Sequence, residues 1–154
     1  MKDAQDVTKP IASFAGEYSF LSNFYPCAIA LDSEDYPTVE HAFQAAKTDD
    51  PDQRRSIRED ESPVTAKHRG KRVTLRPGWD HLRFDIMETL VRQKFTHHSA
   101  LREKLLATGD AELIEGNTWR DMTWGAVWNK DKGRWVGQNH LGQILMKVRD
   151  ELKG

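Results

Sequence analysis

The chain has 154 residues, a length typical of one domain with a sizeable hydrophobic core. Its composition, 38% hydrophobic and 31% charged with a formal net charge of −1, is that of a soluble globular protein. It excludes a membrane protein, because no apolar run approaches the roughly 20 residues that a membrane span needs. With no secretory signal and a single cysteine, Cys27, we expect a cytoplasmic protein without disulfides or a multi-cysteine zinc site.

The first predicted segments are mostly irregular. Residues 1–11 are polar and aperiodic, and we expect a flexible N-terminus that precedes one domain over residues 12–154. In residues 14–26, aromatic residues alternate with Gly, Ser and Asn, which predicts a loop that positions Asn23 and Phe24. The apolar run 27–31 predicts a strand, and the polar residues 32–35 predict the turn that follows it.

Residues 36–48 predict the central helix of the domain. Apolar residues recur there at positions i, i+3, i+4 and i+7, which predicts one face turned towards the core. Glu40, Gln44 and Lys47 recur along the edge of that face, where a carboxylate is partly desolvated but can still reach a substrate. Thr38 is the predicted N-cap, so Glu40 falls in the first turn. The alternative is an ordinary amphipathic helix with a solvated polar face.

The middle of the chain is basic. Residues 64–104 contain ten Lys and Arg against four acidic residues, which is typical of phosphate binding, although a solvated helical face is the commoner cause. We predict a polar helix over 52–59, a second helix over 63–70 with Ser62 as its N-cap, and an extended segment at 73–75. Asp80 is the predicted N-cap of a longer helix, and Ser99 is that of the next, which closes at Gly109.

The last third of the chain combines a strand, a loop and a helix. Residues 111–115 predict a strand. Residues 116–137 are rich in Gly, Asn, Asp and Trp without periodicity, which predicts a long irregular loop of the kind that is often functional. A helix with a clean apolar stripe begins after Asn139, its predicted cap. Together these elements predict an α+β fold, a single mostly helical domain with a few short strands.

Several motifs follow one another in a specific order. They read GxYxFLSNF at 16–24, YPTxEHxFQAxK at 36–47, PxW at 77–79, KF at 94–95, LxTG at 106–109, LxE at 113–115, DxxWG at 121–125 and GxNxLGxxLM at 137–146. In this order the chain resembles the NADAR family, also called YbiA-like, from about residue 14 to residue 149. Any one motif alone would not be specific.

The resemblance implies the YbiA-like fold and N-glycosidase activity. Some members of the family cleave phosphorylated riboflavin-pathway intermediates, and others remove ADP-ribose from modified guanine in nucleic acid or nucleotides, including as antitoxins to ADP-ribosylating toxins. Riboflavin-type relatives tend to carry an acidic residue after Trp-Gly, where this chain has Ala126, so the resemblance favours the ADP-ribosyl branch. The implied partners are a nucleotide-like substrate with an ADP-ribose moiety, ADP-ribosylated nucleic acid and a toxin, and no cofactor is implied.

Carried over position by position, the family's pocket corresponds to two carboxylates, two indoles and side chains from adjoining motifs: Glu40, Asp121, Trp79, Trp124, Asn23, Lys47 and Asn139. Phe24, from the predicted loop at 14–26, is a further substrate-binding candidate. Cleavage of a ribose C1–N bond passes through an oxocarbenium-like transition state, which needs nearby negative charge and a positioned nucleophile. We expect Glu40 and Asp121 to supply these, with their two roles left open. The alternative for Asp121 is a turn residue in a loop.

Lys47 follows Glu40 by two turns and about 20° around the helix. Two functional roles are open for it: contact with a substrate phosphate, or attack on C1 to form a Schiff base after ring opening. A purely structural contact with Glu40 is the third reading. His41 lies on the opposite side of the helix, and we do not count it among the catalytic residues.

The remaining candidates would bind the substrate. Trp79 and Trp124 can stack on a planar base, or can be core residues. Asn23 and Asn139 offer amides to ribose hydroxyls or base edges, although Asn139 can equally be only the cap of the last helix.

No metal site is expected, because His97 and His98 are adjacent and would point apart on a helix. The absence of a dinucleotide-binding glycine motif argues against a redox dinucleotide cofactor.

A function of another class is also open: a non-catalytic module that binds ADP-ribose or nucleic acid.

Overall fold

The computed structural model describes residues 9–154, so most of the predicted flexible N-terminus lies outside the described residues. The predicted fold class is confirmed, since about half of the described residues are helical and the strands are short. They divide into two compact units, one made of residues 9–22 and 99–154 and the other of residues 23–98. Within residues 9–154, every helix is too short or too polar to cross a lipid bilayer.

The unit of residues 23–98 begins with a β-hairpin. Strands β1 (Ile29–Leu31) and β2 (Glu34–Tyr36) are antiparallel. Asp32 and Ser33 connect them with positive φ values of 49° and 72°, as a two-residue hairpin turn requires. The prediction of a turn over all of residues 32–35 is therefore wrong at 34–35, because pairing with β1 overrides the weak strand propensity of acidic residues.

Helix α1 (Val39–Ala46) is the centre of this unit. Helices α2 (Pro51–Arg58), α3 (Pro63–Gly70) and α4 (Trp79–His97) all pack against it. The predicted N-cap is confirmed, since the Thr38 hydroxyl accepts a hydrogen bond from the backbone N–H of His41 at 3.0 Å. All eight residues of α1 are buried, so the polar stripe is buried more deeply than the amphipathic pattern predicts.

The starts of the other three helices in this unit follow local capping rules with one exception. The Asp50 carboxylate caps α2, and the Ser62 hydroxyl caps α3 as predicted. Helix α4 begins at Trp79, and its N-cap is Gly78 with φ of 75°. The prediction of Asp80 as the cap is wrong, because the left-handed glycine lets the helix start directly after the turn. Residues 73–75 do not form a strand.

The unit of residues 9–22 and 99–154 contains a 3-10 helix (Gly16–Leu21) and the helices α5 (Ser99–Ala107) and α6 (His140–Lys153). The prediction of a loop over residues 14–26 is wrong at the 3-10 helix, where the backbone N–H of Tyr18 donates to the carbonyl of Ala15 at 3.0 Å. The apolar stripe of α6 is buried as predicted. Helix α5 packs against both the 3-10 helix and α6.

Strand pairing in this unit also differs from the sequence prediction. Residues 111–115 form an isolated bridge between Leu113 and Ile11 rather than a strand. Ile11 is held there by two backbone hydrogen bonds of 2.8 and 2.9 Å, one residue before the predicted start of the domain. Within the predicted irregular loop, β3 (Val127–Asn129) and β4 (Arg134–Val136) form an antiparallel hairpin. The bridge joins segments that are far apart in the sequence, and the two strands of the hairpin are too short for a local alternation of apolar residues to mark them.

Candidate functional site

The predicted site residues belong to two groups. Five of them lie in the unit of residues 23–98, and three lie in the other unit: Asn23, Phe24, Glu40, Lys47 and Trp79, then Asp121, Trp124 and Asn139. Each group is organised by the elements of its own unit.

Glu40 is a buried carboxylate in the first turn of α1. Its side chain accepts a hydrogen bond from the Gln44 amide nitrogen, with 2.6 Å between Gln44 Nε2 and Glu40 Oε2, and the residue is 7% exposed. Its backbone N–H donates to the carbonyl of Asn23 at 3.0 Å. The Asn23 side chain in turn contacts Met87 of α4, with 3.4 Å between Nδ2 and Sδ. The structure thus brings together the predicted residues Asn23 and Glu40.

Lys47 is the half-buried C-cap of α1. Burial lowers the pKa of its amine below the ordinary value for lysine. Nearby charges act on this pKa in both directions: Glu40 raises it, and three cations lower it further, namely Lys67, Lys71 and Arg83. An anion and three cations therefore act on the Lys47 amine. A lowered pKa suits a nucleophile, whereas the cluster of cations suits a phosphate, so both predicted roles stay open.

Trp79 packs inside the unit. It is 6% exposed, and its ring centroid lies 5.2 Å from that of Phe43 in α1 with 52° between the ring planes. This contact accounts for Trp79 as a core residue, and stacking on a substrate base stays a prediction. Phe24 is 36% exposed, so part of its ring remains accessible.

Two residues near the candidate site are missed by the sequence prediction of site residues. The Oε1 atom of Gln44 is buried and has no hydrogen-bond partner among residues 9–154. Its amide lies against Gly70 so closely that a Cβ there would overlap it. Arg83 also has a buried Nε without a partner in the described part of the chain. The spacing of Gln44 from Glu40 is a usable signal, but nothing local in the sequence marks Arg83.

Asp121 organises a tight turn in the other unit. Its Oδ1 accepts hydrogen bonds from the backbone N–H of Thr123 at 3.1 Å and of Trp124 at 2.9 Å. Its own backbone N–H donates to the Asn117 side chain at 3.0 Å. The turn-forming role that the sequence left open is therefore present, and it also fixes the Trp124 backbone. A catalytic role for the same carboxylate stays a prediction.

Asn139 holds α6 to the preceding segment. Its φ of 51° is left-handed, and its side chain makes no capping hydrogen bond to the helix. Instead, Oδ1 accepts the backbone N–H of Glu115, and Nδ2 donates to the carbonyl of Leu113, both at 2.9 Å. The prediction of a side-chain cap is wrong, because αL backbone geometry turns the amide towards residues 113–115. The ring of Trp124 lies 6.1 Å from that of His140, at the start of the same helix.

His41 is a structural histidine. It is 1% exposed, with its ring nitrogens 2.8 Å from the Thr38 hydroxyl and 2.9 Å from the carbonyl of Asp60. Residues 9–154 contain no group of three His, Cys, Asp or Glu side chains arranged to hold a metal ion.

Comparison with known proteins identifies close relatives. A family model described as the NADAR domain matches residues 12–153. N-glycosidase YbiA of Escherichia coli is 37% identical over 150 residues, which cover 96% of this chain and 90% of that protein. Riboflavin biosynthesis protein VVA0006 of Vibrio vulnificus is 40% identical over 138 residues, which cover 88% of this chain and 36% of that protein. The NMR structure of E. coli YbiA matches with a TM-score of 0.77 and 36% identity, covering 95% of this chain and 86% of that one.

Proposed function

Since the chain belongs to the NADAR domain family, we propose that it is an N-glycosidase that hydrolyses a bond between ribose C1 and nitrogen in a nucleotide-like substrate. The relative named N-glycosidase YbiA supports this class of reaction, because the match extends over nearly the whole of both chains. In its finer form, we propose that the enzyme removes ADP-ribose from modified guanine, in nucleic acid or in a nucleotide, and so reverses ADP-ribosylation.

The observation that carries the proposal is that Glu40 and Lys47 lie at the two ends of one buried helix, where the charge of Glu40 acts on the Lys47 amine. The oxocarbenium-like transition state of glycosidic cleavage is stabilised by a fixed negative charge in a site of low dielectric. Glu40 meets this requirement because it is buried and held by Gln44. Lys47 adds an amine with a lowered pKa in the same unit.

Two chemical routes fit these residues. In the direct route, Glu40 takes a proton from water as the water oxygen bonds to C1, while the base leaves with the electrons of the C–N bond and takes up a proton. In the covalent route, the neutral amine of Lys47 bonds to C1 as the base leaves with the electrons of the C–N bond and takes up a proton that the amine nitrogen releases. The bond between C1 and the ring oxygen then opens to give a Schiff base, and water hydrolyses it to return the amine and the free sugar. Asp121 would then orient a sugar hydroxyl or transfer the proton to the leaving nitrogen.

Two observations support the ADP-ribosyl branch. The family resemblance implies an acidic residue at this position in riboflavin-type members, whereas this chain has the buried and uncharged Ala126. The cations that act on Lys47 also favour a substrate with several phosphate charges, and ADP-ribose contains a diphosphate: Lys67, Lys71 and Arg83.

A second candidate is hydrolysis of phosphorylated riboflavin-biosynthesis intermediates. The Vibrio vulnificus relative favours it by its name, although this chain spans about a third of that protein, 36%. The same cations suit the phosphate of such a substrate.

The decisive experiment compares substrates. The protein is incubated separately with an oligonucleotide that carries ADP-ribosyl-guanine and with phosphorylated aminopyrimidine intermediates, and products are identified by mass spectrometry. We expect free ADP-ribose and intact guanine from the first. Turnover of the intermediates alone would establish the second candidate, and tight binding of ADP-ribose without any product would establish a non-catalytic module.

A toxin partner follows from the same proposal, because an ADP-ribosylating toxin is a source of this modification. In cells that express such a toxin, co-expression of the wild-type chain should restore growth, and co-expression of the Glu40→Gln variant should not.

A further inference from the structure

A basic cleft lies between α2 and α3. It has a volume of about 380 Å³, and its lining includes two hydroxyls and three side chains that can bind an anion: Ser56, Thr65, His68, Arg69 and Arg72. Neither Glu40 nor Lys47 lines it. The cleft is therefore separate from the candidate catalytic residues.

The positive charge of this cleft is poorly neutralised. Residues 62–79 contain five Lys and Arg and no Asp or Glu. Arg69 is paired, because its guanidinium donates to the Asp60 carboxylate at 2.8 and 3.2 Å. Arg72 is exposed and forms no ion pair within the described residues, and the His68 ring is also exposed. A guanidinium and hydroxyls around one cavity are the groups that bind phosphate oxygens in nucleic-acid complexes.

The helix that borders the cleft also carries cations that act on the candidate catalytic residue Lys47. Thr65 and Arg69 occupy the side of α3 that borders the cleft, whereas Lys67 and Lys71 lie on its other side and act on the amine of Lys47. The segment after α3 then returns to α1, where the backbone N–H of Arg76 donates to the carbonyl of Lys47 at 2.7 Å. One helix therefore carries positive charge on two sides of the same unit.

The cleft suits a phosphate rather than a second nucleoside. The part of its lining that the structure describes contains no Phe, Tyr or Trp ring on which a base could stack, and its only ring is the small imidazole of His68. We propose that it binds a backbone phosphate of the strand that carries the modified base, so that the enzyme prefers an oligonucleotide over a free nucleotide. This inference rests on the proposed function, but it concerns a contact away from the bond that is cleaved.

The test compares two substrates with the same ADP-ribosyl-guanine, one a free nucleotide and the other a single-stranded oligonucleotide. The double variant His68→Gln, Arg72→Gln should raise KM for the oligonucleotide by about tenfold and leave kcat/KM for the nucleotide unchanged. The slope of log affinity against log salt should fall by about 1, as for the loss of one phosphate contact. The control variant Lys130→Gln, Lys132→Gln removes two exposed cations from the β3–β4 turn and should change neither substrate.

Several outcomes would overturn the proposal. These are an unchanged KM for the oligonucleotide in the double variant, an equal loss on both substrates, and an equal effect of the control variant. The single variant Arg72→Lys keeps the positive charge at this position, so it should retain most of the preference for the oligonucleotide that the double variant loses. If the wild-type chain cleaves neither substrate, the proposed removal of ADP-ribose fails, and fluorescence anisotropy with an unmodified oligonucleotide still tests the cleft. Weaker binding by the double variant than by the control variant would then support it, and equal binding would refute it.

Discussion

The Gln44 amide donates a hydrogen bond to the Glu40 carboxylate one helical turn away, with 2.6 Å between Nε2 and Oε2. Both residues are buried in α1, at 4% and 7% exposure. Burial of a carboxylate costs free energy unless the group is hydrogen-bonded. The hydrogen bond from Gln44 offsets part of this cost and holds the Glu40 side chain in one position. Fixed charge of this kind is what an enzyme uses to stabilise a developing cation.

The first prediction concerns the charge of Glu40. Glu40→Gln should lower kcat by about 10²–10⁴, because it removes the charge while its amide oxygen can still accept from Gln44. Binding of ADP-ribose and the melting temperature should change little, as measured by calorimetry. The control is Glu59→Gln, which neutralises an exposed acid at the end of α2. Full turnover by the Glu40 variant would rule out this mechanism.

The second prediction concerns the contact between Gly70 and Gln44. Gly70→Ala would put a methyl group into the Gln44 amide, so we expect it to destabilise the fold by about 1–3 kcal/mol in urea unfolding. Helix propensity alone predicts that Gly70→Ala stabilises the fold, because alanine has a higher helix propensity than glycine. In a Gln44→Ala background the amide group is absent and only an approach of 3.0 Å to the Cβ of residue 44 remains, so most of the penalty should disappear. An equal penalty in both backgrounds would mean that the contact is unimportant.

The third prediction concerns the amine of Lys47. If it attacks C1, it must be neutral, so kcat/KM should rise with pH and level off below the ordinary lysine pKa of about 10.4, because burial lowers the pKa of Lys47. Borohydride added during turnover should attach the sugar covalently to Lys47, as detected by peptide mass spectrometry. Lys47→Arg should give neither adduct nor turnover. A Lys47→Arg variant that turns over normally would rule out the nucleophile and leave a phosphate contact or a structural contact with Glu40.

The fourth prediction separates the two roles of Asp121. Asp121→Asn keeps an oxygen that can accept from Thr123 and Trp124, so the turn should survive. If the carboxylate is catalytic, kcat should still fall by about 10² or more. Asp121→Ala removes the turn contacts as well and should also lower the melting temperature. Wild-type rates for Asp121→Asn, together with an unstable Asp121→Ala, would leave only the structural role.

The fifth prediction concerns Asn139. Asn139→Gly keeps the left-handed backbone but loses both side-chain hydrogen bonds, which should lower stability by about 1–3 kcal/mol. Asn139→Ala should lose about 1–2 kcal/mol more, because alanine disfavours the left-handed region. Denaturant unfolding measures both. If KM rises at temperatures where the Asn139→Gly variant is fully folded, Asn139 contacts the substrate in addition to its structural role.

Local signals predict the helices well. Thr38 and Ser62 cap α1 and α3 as expected, because a side-chain oxygen next to the first backbone N–H groups acts over only a few residues. The second strand of the first hairpin, both strands of the second hairpin and the Gly78 start of α4 are not predicted. They depend on pairing partners or on a backbone turn that the local pattern does not reveal.

The order of the sequence motifs by itself determined the family and the helical register that sets Glu40, Gln44 and Lys47 along one side of α1, since helical spacing is a local property of the chain. Only the tertiary structure decided how deeply Glu40 is buried, that Gly70 confines Gln44, and that cations from α3 and α4 act on Lys47. The physical reason is that desolvation and electrostatic fields are produced by neighbours in space, which come from segments far apart in the sequence.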